Sequence, residues 1–456
     1  MASLNDGRQV YYGGRRVESV STDEMLSSGV KWVAGGYDRY FSSEPGARNE
    51  VLSAPANADE FKERVHTLEA VDLLLHLTYQ SSMALLTAAE RIAEGFPEGA
   101  DRVRRYVEWC AAEDLRMVQC ITDSKGDRSL PPGGQPDPDQ YLRIVERRED
   151  GIVIRGAKLH ISGAPLAHEL MVMPTKRMKP GEDAYAVACA IPVNAPGVKV
   201  IATLPADHGS ADPRDVPVSY GRVVPEGFVV FDDVFVPNDR IFLDGQTALS
   251  AEFAHSLGLW ERLGATGSHV VTAETMVGLA QLVCEANGTT KIGHVREKLT
   301  DLVLHATLLR GTYETALANS TVSERGVVTP DELFTNAATA HAATGWSTVC
   351  RILLDLSGGS VITAPSMADL DNPELTEILD KYMSGASGMP GRQRLQLLHL
   401  IRNLAADAHA GWVGVTTLQA GGGLHALRTV MRGHFDFDSA KRTALAHLDH
   451  VSGAVS

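Results

Sequence analysis

The stretch from Cys120 to Pro174 decides the fold: CITDSKGDRSLPPGGQPDPDQYLRIVERREDGIVIRGAKLHISGAPLAHELMVMP. It opens with a polar loop, Thr122 to Arg128, crosses a proline-rich turn and continues into segments rich in β-branched residues. Residues 141–147 and 152–160 flank a turn that ends in Gly151, which is the pattern of a β-hairpin. We therefore predict that a β-rich unit begins here, with further strands up to about residue 244.

Helical patterns lie on both sides of this unit. Apolar residues recur at three- and four-residue steps between residues 58 and 117, and again in residues 251–263, 269–285, 295–319, 330–356 and 392–418. Asp331 and Glu332 after Thr329-Pro330 mark a helix start. The sequence predicts an α+β fold: an N-terminal helical domain at 1–117, a middle β-barrel or sandwich domain at 118–245, and a C-terminal antiparallel helical bundle at 246–456.

Composition limits the functional classes. The net charge of -15 argues against nucleic-acid binding, which needs a basic surface. Five scattered cysteines without a C-x-x-C pair predict neither a disulfide framework nor a zinc site, and no metal ligands are expected. No apolar run has the roughly 20 residues of a membrane helix, and the N-terminal residues lack a secretory pattern, so we expect a cytoplasmic protein without membrane contact.

The usual cofactor and hydrolase signatures are missing: there is no G-x-G-x-x-G after a strand, no Walker loop, no H-E-x-x-H and no G-x-S-x-G. The loop at residues 122–128 combines backbone N–H groups, hydroxyls, a lysine and an arginine, which together suit an anion or the edge of a polar ring system. A solvated turn between helix and sheet explains the same residues equally well.

The order of three long motifs is more specific than any of these features. TDSKGDR at 122–128, the segment from Asp137 to Thr175 and VVFDDVFVPNDRIFL at 229–243 resemble the 4-hydroxyphenylacetate 3-hydroxylase and 4-hydroxybutyryl-CoA dehydratase family of flavoproteins. The likeness continues through LLDLSGGSVITAPS at 353–366 and the glycines near 421, so it covers nearly the whole chain. It implies an acyl-CoA dehydrogenase-like fold.

The resemblance also implies FAD, bound between the β-domain and the bundle and completed by a neighbouring subunit in a homotetramer or homodimer. Ser162 takes the place of the family's hydroxyl residue beside the reactive edge of the flavin. The glycines at 358–359 and 421–423 would approach this cofactor from a second chain, because a backbone without side chains can come close to it. The implied cofactor residues are Thr122, Lys125, Gly126, Asp127, Arg128, Ser162, Gly358, Gly359, Ser360, Gly421, Gly422 and Gly423.

Two chemistries occur in the family. The hydroxylases use reduced FAD from a separate reductase to hydroxylate a phenol, whereas the dehydratases hold a [4Fe-4S] cluster through three cysteines and a histidine. This chain has Thr-Tyr-Gln-Ser-Ser at 78–82, where the dehydratases have paired cysteines. Because no thiolate accompanies His269 in the segment 267–274, an iron–sulfur cluster is not expected.

The hydroxylase pattern is altered as well. The Arg and Tyr that line the phenol site have no evident counterpart around residues 79–86, and Gln119 or Cys120 replaces an expected histidine. The cofactor-binding residues of the family are therefore present in this chain, whereas its substrate-binding residues are replaced. This difference implies a substrate other than a simple hydroxyphenylacetate. The sequence does not identify that substrate.

We predict a flavin-dependent monooxygenase, the oxygenase component of a two-component system, that hydroxylates an aromatic or electron-rich small molecule. The catalytic candidates are His269, then Gln80, Tyr79 and His160, although each also fits a structural role, since buried polar side chains commonly satisfy backbone partners. One alternative is a cluster-free acyl-CoA dehydratase, isomerase or dehydrogenase, because the motifs NDRIFL and TDSKGDR resemble that branch of the family. The other is a non-catalytic flavin-fold partner protein.

Overall fold

The computed structural model describes residues 1–44, 46–49, 53–69, 73–205, 211–221 and 224–453. Helices, then strands, then helices follow one another in the predicted order, and the α+β class is confirmed. Within these ranges, no helix is both long enough and apolar enough to span a bilayer. The predicted domain bounds stay a prediction.

Four helices form most of the N-terminal part: α1 (Ser27–Arg39), α2 (Ala58–Glu69), α3 (Leu73–Ile92) and α4 (Pro97–Ala112). The sequence predicts a short helix at residues 21–30 in the polar first segment, whereas α1 begins only at Ser27. The glycines at 95 and 99 predict a break in the helical pattern, and this break separates α3 from α4. Pro97 stands at the first turn of α4, where its missing N–H costs no hydrogen bond.

Ten strands make two sheets. Their bounds are β1 (Val10–Tyr12), β2 (Arg15–Val17), β3 (Met117–Cys120), β4 (Arg143–Arg147), β5 (Gly151–Ser162), β6 (Glu169–Val172), β7 (Val187–Pro192), β8 (Val198–Thr203), β9 (Glu226–Pro237) and β10 (Ile241–Asp244). The six-stranded sheet has the order β2-β1-β8-β9-β5-β4, and the four-stranded sheet has the order β10-β7-β6-β3. Neither of these sheets closes into a barrel, so of the two predicted alternatives the sandwich describes the molecule.

The four-stranded sheet lies between the six-stranded sheet and the helices. On β6, Leu170 and Val172 point into a core shared with the six-stranded sheet, while Met171 between them points into the core shared with the helices. This follows from the two-residue period of a strand, which sends neighbouring side chains to opposite faces. An almost unbroken apolar strand is therefore expected at this central position.

The first residues of the chain belong to the six-stranded sheet. β1 pairs in parallel with β8, with Val10 opposite Val200, and antiparallel with β2. Val10 and Val17 are buried in the sandwich core. The N-terminal segment thus adds two strands to the sheet, whereas the sequence predicted only that it wraps over the body.

The C-terminal part contains ten helices and a small hairpin among the described residues. The helices are α5 (Ser250–Ala286), α6 (Gly293–Ala318), α7 (Glu332–Ser357), α8 (Ser360–Thr363), α9 (Met367–Asp371), α10 (Thr376–Tyr382), α11 (Gly391–Ala405), α12 (Ala408–Gln419), α13 (Gly423–His434) and α14 (Phe437–Gly453), and the hairpin strands are β11 (Thr321–Val322) and β12 (Val328–Thr329). The predicted start of α7 is confirmed, since Asp331 caps it by accepting from the Phe334 N–H.

Two helix boundaries differ from the sequence prediction. Residues 251–263 and 269–285 form one helix, α5, because Gly264 and Gly267 leave room for Gln80 and Tyr313 to pack against it rather than breaking it. Conversely, residues 392–418 form two helices. Asp407 ends the continuity by capping α12, with its carboxylate accepting from the His409 N–H at 2.9 Å.

Candidate functional site

A buried ion pair supports the loop at residues 122–128. Lys158 Nζ lies 2.8 Å from Asp123 Oδ1, and each side chain is only 2% exposed. The same ammonium donates to two backbone carbonyls, one of them that of Ile121 at 2.9 Å. Asp123 Oδ1 also accepts from the Leu142 N–H at 2.9 Å. Because buried charges persist only when paired and hydrogen-bonded, this network fixes where the loop leaves β3.

The turn of the loop requires glycine. Gly126 has a φ of +45°, and a Cβ there would lie 2.5 Å from Gln135 Oε1. Gln135 accepts from the Asp127 N–H at 3.0 Å and donates to the Asp127 carbonyl at 2.8 Å, so it holds the turn from inside. The Asp127 carboxylate accepts from the Ser129 hydroxyl, which lowers the pKa of Asp127 and uses it within the turn.

The two cations of the loop stay available. Among the described residues, Lys125 and Arg128 make no ion pair, and Arg128 is exposed. Burial lowers the pKa of Lys125, and the charge of Arg128 lowers it further. Thr122 is half-buried, and its carbonyl accepts from the Leu159 N–H on β5 at 2.7 Å. A rigid turn with two unpaired cations fits the phosphates or the polar ring edge of FAD.

β5 carries the next predicted residues, and a bulge sets where they face. The register against β9 shifts between Lys158 and Ile161, and His160 in this bulge is exposed with a φ of +59°. Ser162 then lies opposite Glu226 on β9. Its hydroxyl is 2.9 Å from each oxygen of the Glu226 carboxyl and donates to it. The structure thus brings Ser162 to a carboxyl group and leaves His160 on the surface.

The Glu226 carboxyl also influences a second acid, Glu261. Burial raises the pKa of Glu226, although Ser162 and Trp412 on α12 both favour its charged form. Burial also raises the pKa of Glu261 on α5 to about 7, and the nearby charge of Glu226 contributes to this rise. All four side chains are half-buried.

Arg262, the residue after Glu261 on α5, binds the backbone at the glycines of residues 421–423. Its Nε donates to the Gly421 carbonyl at 2.9 Å, and its Nη1 donates to Asn336 Oδ1 at 2.9 Å. A Cβ on Gly421 would lie 2.9 Å from Arg262 Cγ, so the close approach requires glycine there. Gly422 and Gly423 have φ values of +91° and +76° and begin α13.

His269 lies in a different cavity. It lines a narrow space with His305, Trp346 and Thr417, among other residues. Burial lowers the pKa of His269 to about 4, so its imidazole is neutral at pH 7. His269 follows Glu261 by eight residues of one helix, which places them on one face about 12 Å apart along the axis. A neutral imidazole there can accept or donate one hydrogen bond.

Tyr79 and Gln80 line a third space, between α2, α3, α5 and α6. Its walls include His76, Trp260 and Tyr313. Burial raises the pKa of Tyr79 well above its usual value, so the phenol stays protonated. The structure therefore separates the four catalytic candidates into two enclosed spaces and one surface position.

Gly358, Gly359 and Ser360 lie on the surface at the junction of α7 and α8. Gly358 and Gly359 are exposed, and a Cβ on either would meet no atom within 4 Å. Gly358 has a φ of +72°, which ends α7. Apart from that angle, nothing in this chain demands glycine here, and no contact joins these residues to Ser162.

Sequence reasoning missed Glu226, Glu261, Arg262 and Trp412. Glu226 opens a strand and precedes the apolar run Gly227–Phe231, and this position was the one available signal. Glu261 and Arg262 fall within a regular helical period and look like solvated positions.

One group of possible metal donors is found among the described residues. His66, Glu69 and Glu314 bring ligand atoms within 4.8 Å of one another. Arg310 and Lys62 already pair with these carboxylates, so positive charge occupies the place of a cation.

Comparison with known proteins places this geometry in a family. The family model described as 4-hydroxyphenylacetate 3-hydroxylase N terminal matches residues 1–243, and the corresponding C-terminal model matches residues 250–449. The chain belongs to the 4-hydroxyphenylacetate 3-hydroxylase family. The predicted resemblance is thereby confirmed.

Relatives in this family differ in reaction. 4-Hydroxybutyryl-CoA dehydratase/vinylacetyl-CoA-Δ-isomerase of Clostridium aminobutyricum is 30% identical over 75% of this chain and 72% of its own. The oxygenase component of 4-hydroxyphenylacetate 3-monooxygenase from Thermus thermophilus is 28% identical over 86% of this chain and 84% of its own. An FADH2-dependent monooxygenase of Burkholderia cepacia is 25% identical over 89% of this chain and 82% of its own. The prediction of a flavin-dependent oxidoreductase is confirmed at this level, with the reaction left open.

Solved structures of the 4-hydroxyphenylacetate 3-hydroxylase family share the fold. The oxygenase component of 4-hydroxyphenylacetate 3-monooxygenase, solved in complex with FAD, has a TM-score of 0.87 at 24% identity and covers 100% of this chain and 98% of its own. A 4-hydroxybutyryl-CoA dehydratase from N. maritimus has a TM-score of 0.85 at 23% identity, covering 98% and 93%. This likeness confirms the predicted fold class. FAD, the cofactor that the sequence implied, is the one named in the first of these structures.

Proposed function

We propose that this protein is the oxygenase component of a two-component monooxygenase, which takes reduced FAD from a separate reductase and hydroxylates an aromatic or electron-rich small molecule. The observation that carries the proposal is the position of Ser162. β5 supports the loop at 122–128 through Lys158 and, four residues further on, presents Ser162 with its hydroxyl held by the Glu226 carboxyl. One strand thus ties the cation-bearing loop to this hydroxyl.

The cofactor residues divide into three groups. Thr122, Lys125, Gly126, Asp127 and Arg128 form the loop beside the flavin, and Ser162 lies at its reactive edge. Gly421, Gly422 and Gly423, with Gly358, Gly359 and Ser360, approach the cofactor from a neighbouring subunit. The exposure of Gly358 and Gly359 supports this last assignment, because their backbone is open to a partner.

When bound, reduced FAD supplies the electrons with which one atom of dioxygen is transferred to the substrate. The protein's part is to hold the substrate, exclude water and manage protons. The Ser162 hydroxyl, held by Glu226, is a donor fixed at the end of β5. His269 is the first candidate for a substrate hydrogen bond, because burial keeps it neutral. Gln80, Tyr79 and His160 follow it.

The assembly proposed is a homotetramer or homodimer. Of the side chains of α14 between residues 437 and 448, all except Ser439 are exposed, including the apolar Leu445. α6 exposes a row of apolar side chains, Val303, Leu304 and Leu308. Because a soluble protein rarely leaves such faces uncovered, we assign them to contacts between copies of the chain. The five free cysteines support a reducing, cytoplasmic location.

The test uses purified protein, chemically reduced FAD and dioxygen with a panel of 4-substituted phenols. The expected result is a hydroxylated product whose yield depends on the protein and exceeds that of hydrogen peroxide. Peroxide alone, with every phenol in the panel, would contradict the proposal. Ser162→Ala adds a sharper test: FAD should bind normally while product per FAD oxidised falls, and full coupling in this variant would rule out the role of Ser162.

The second candidate is a redox-neutral acyl-CoA dehydratase or isomerase. The 30% identity to the Clostridium aminobutyricum enzyme favours it. Against it, none of the residues found to line the cavity at His269 is a cysteine, whereas a cluster needs thiolate ligands. Conversion of 4-hydroxybutyryl-CoA by the protein without dioxygen would establish this alternative.

A further inference from the structure

A run of basic residues follows β6 and lies beside the loop at 122–128. The run is Lys176-Arg177-Met178-Lys179, and its three cations are exposed while Met178 is buried. No ion pair to any of these three cations is found in the part of the chain that the structure describes. Such a run stands out in a chain whose net charge is -15, and its charges are open to an anion from solution.

Hydrogen bonds hold this run against the loop. The Thr175 hydroxyl donates to the Ile121 carbonyl at 2.7 Å and accepts from the Asp123 N–H at 3.1 Å. The Met173 N–H donates to the Cys120 carbonyl at 3.1 Å, which continues the pairing of β3 with β6. The residues just before the run are thus bonded to the start of the loop, and the two segments leave the sheet side by side.

The next residues bring the charges of the two segments close together. Lys176 Nζ lies 5.2 Å from the centre of the Tyr141 ring. The loop contacts the residue before that ring, because the Lys125 N–H donates to the Gln140 carbonyl at 3.1 Å. Burial lowers the pKa of Lys125, and the charges of Arg128 and Lys176 lower it further. Lys176 therefore lies in the same neighbourhood as the two cations of the loop.

The far end of the run is anchored as well. The Met178 N–H donates to the Ser250 hydroxyl at 2.8 Å, and the Lys179 N–H donates to the Glu182 carboxyl at 2.7 Å. The segment 173–183, which contains the run, is thus fixed at both ends.

Carboxylates in the loop and in this segment do not cancel the positive charge. Outside the buried pair of Asp123 and Lys158, the two segments carry five cations but only three carboxylates. The carboxylates are Asp127, Glu182 and Asp183. The cations form the basic patch, which we define as Lys125, Arg128, Lys176, Arg177 and Lys179. The patch is a local excess of positive charge on an acidic protein.

We infer that the basic patch captures reduced FAD from solution by attracting its diphosphate, and that Lys176, Arg177 and Lys179 raise the rate of this capture. The inference rests on the proposed function, in which reduced FAD arrives from a separate reductase. The net charge of -15 repels an anionic dinucleotide at long range. A local group of opposite charge steers such a ligand to its site and raises its association rate by about 10- to 1000-fold. Fast capture limits the reaction of free reduced FAD with dioxygen.

Anaerobic stopped-flow mixing of the protein with dithionite-reduced FAD, without substrate, measures this association through the change in flavin absorbance. We expect the variant Lys176→Gln/Arg177→Gln/Lys179→Gln to associate about tenfold more slowly at low ionic strength. The difference should vanish at about 1 M salt, where the Debye length is about 3 Å. The dissociation rate should change little, because charges at the rim of a site act mainly on the association rate.

A control variant changes the net charge by the same amount elsewhere. Arg16→Gln/Lys31→Gln/Lys291→Gln removes three exposed cations, from β2, from α1 and from the connection before α6. It should keep the association rate and the salt dependence of the unaltered protein. An equal loss in both variants would assign the effect to overall charge and overturn the inference, and so would an unchanged rate in the patch variant.

ADP and adenosine identify the group that is recognised, because only ADP carries a diphosphate. ADP should slow the association of reduced FAD with the unaltered protein more than with the patch variant, and adenosine should slow neither. Equal inhibition by the two compounds would overturn the inference.

The outcomes for the inference and for the proposed function are separable, because association needs no turnover. Patch-dependent association without hydroxylation of any phenol would count against the proposed function alone. Hydroxylation together with patch-independent association would overturn the inference alone. A protein that does not bind reduced FAD would overturn both.

Discussion

Replacing Lys158 by methionine tests whether the buried pair supports the loop at 122–128. Methionine keeps most of the side-chain length but removes the ammonium group, which lies 2.8 Å from Asp123 and donates to two carbonyls at 2.9 Å. The variant leaves the buried Asp123 carboxylate without its counter-charge and removes one donor from each of the two carbonyls. Breaking a buried pair in this way costs about 3–5 kcal/mol, so Lys158→Met should lower the free energy of unfolding by that amount.

The chain offers a matched control on the same sheet. Lys199 lies 3.2 Å from Asp232, with side chains 41% and 59% exposed, and Lys199→Met should cost less than about 1 kcal/mol. Urea unfolding, followed by circular dichroism, gives the change in unfolding free energy for both variants. Titration with FAD measures whether the loop at 122–128 still binds the cofactor. We expect Lys158→Met to weaken FAD binding and Lys199→Met to leave it unchanged. A loss of stability no larger for Lys158→Met than for Lys199→Met would refute the reasoning.

Three other outcomes are expected. Burial raises the folded-state pKa of Glu261 from 4.5 to about 7. The contribution of this group to stability is therefore present below about pH 4.5 and is lost as the pH rises through 7, by on the order of 3 kcal/mol. Glu261→Gln should flatten the resulting decline of the urea midpoint between pH 5 and 8, and an unchanged decline would contradict the assignment of this pKa to Glu261. Gly126→Ala should weaken FAD binding, because its Cβ would meet Gln135, whereas Gly181→Ala, also at positive φ but in open space, should not; equal affinities would argue against the loop. Removing residues 436–456 should reduce the mass of the assembly measured by light scattering, and an unchanged mass would exclude α14 from the contacts.

The features that the sequence could predict are the contiguous ones. The loop at 122–128 and Ser162 lie within one stretch, and the polar residues and glycine needed for a tight turn are visible in it. The α+β order follows from the change of apolar period near residues 117 and 245. Asp331 could be identified as a cap because its partner, the Phe334 N–H, is three residues away.

The features that sequence could not show depend on distance along the chain. Ser162 and Glu226 meet only because β5 pairs with β9, and no local pattern marks Glu226 as a partner of Ser162. Residues 251–263 and 269–285 were predicted as separate helical segments because the packing partners of the glycines between them, Gln80 and Tyr313, are far away in sequence. His160 was selected for its residue type, while its exposure depends on a bulge that alternation alone does not reveal.

The bulge on β5 determines which face of the sheet Ser162 occupies. Three residue steps from Lys158 to Ile161 match two steps, Val229 to Gly227, on β9. The extra residue turns Ser162 to the face of Glu226, while Lys158 stays buried on the opposite face beneath the loop. If the same residues alternated strictly, without the bulge, Ser162 would share the face of Lys158 and point into the sandwich core. The position of Ser162 relative to the loop at 122–128 therefore depends on this bulge, and a change that flattened the strand between Lys158 and Ser162 would separate the two.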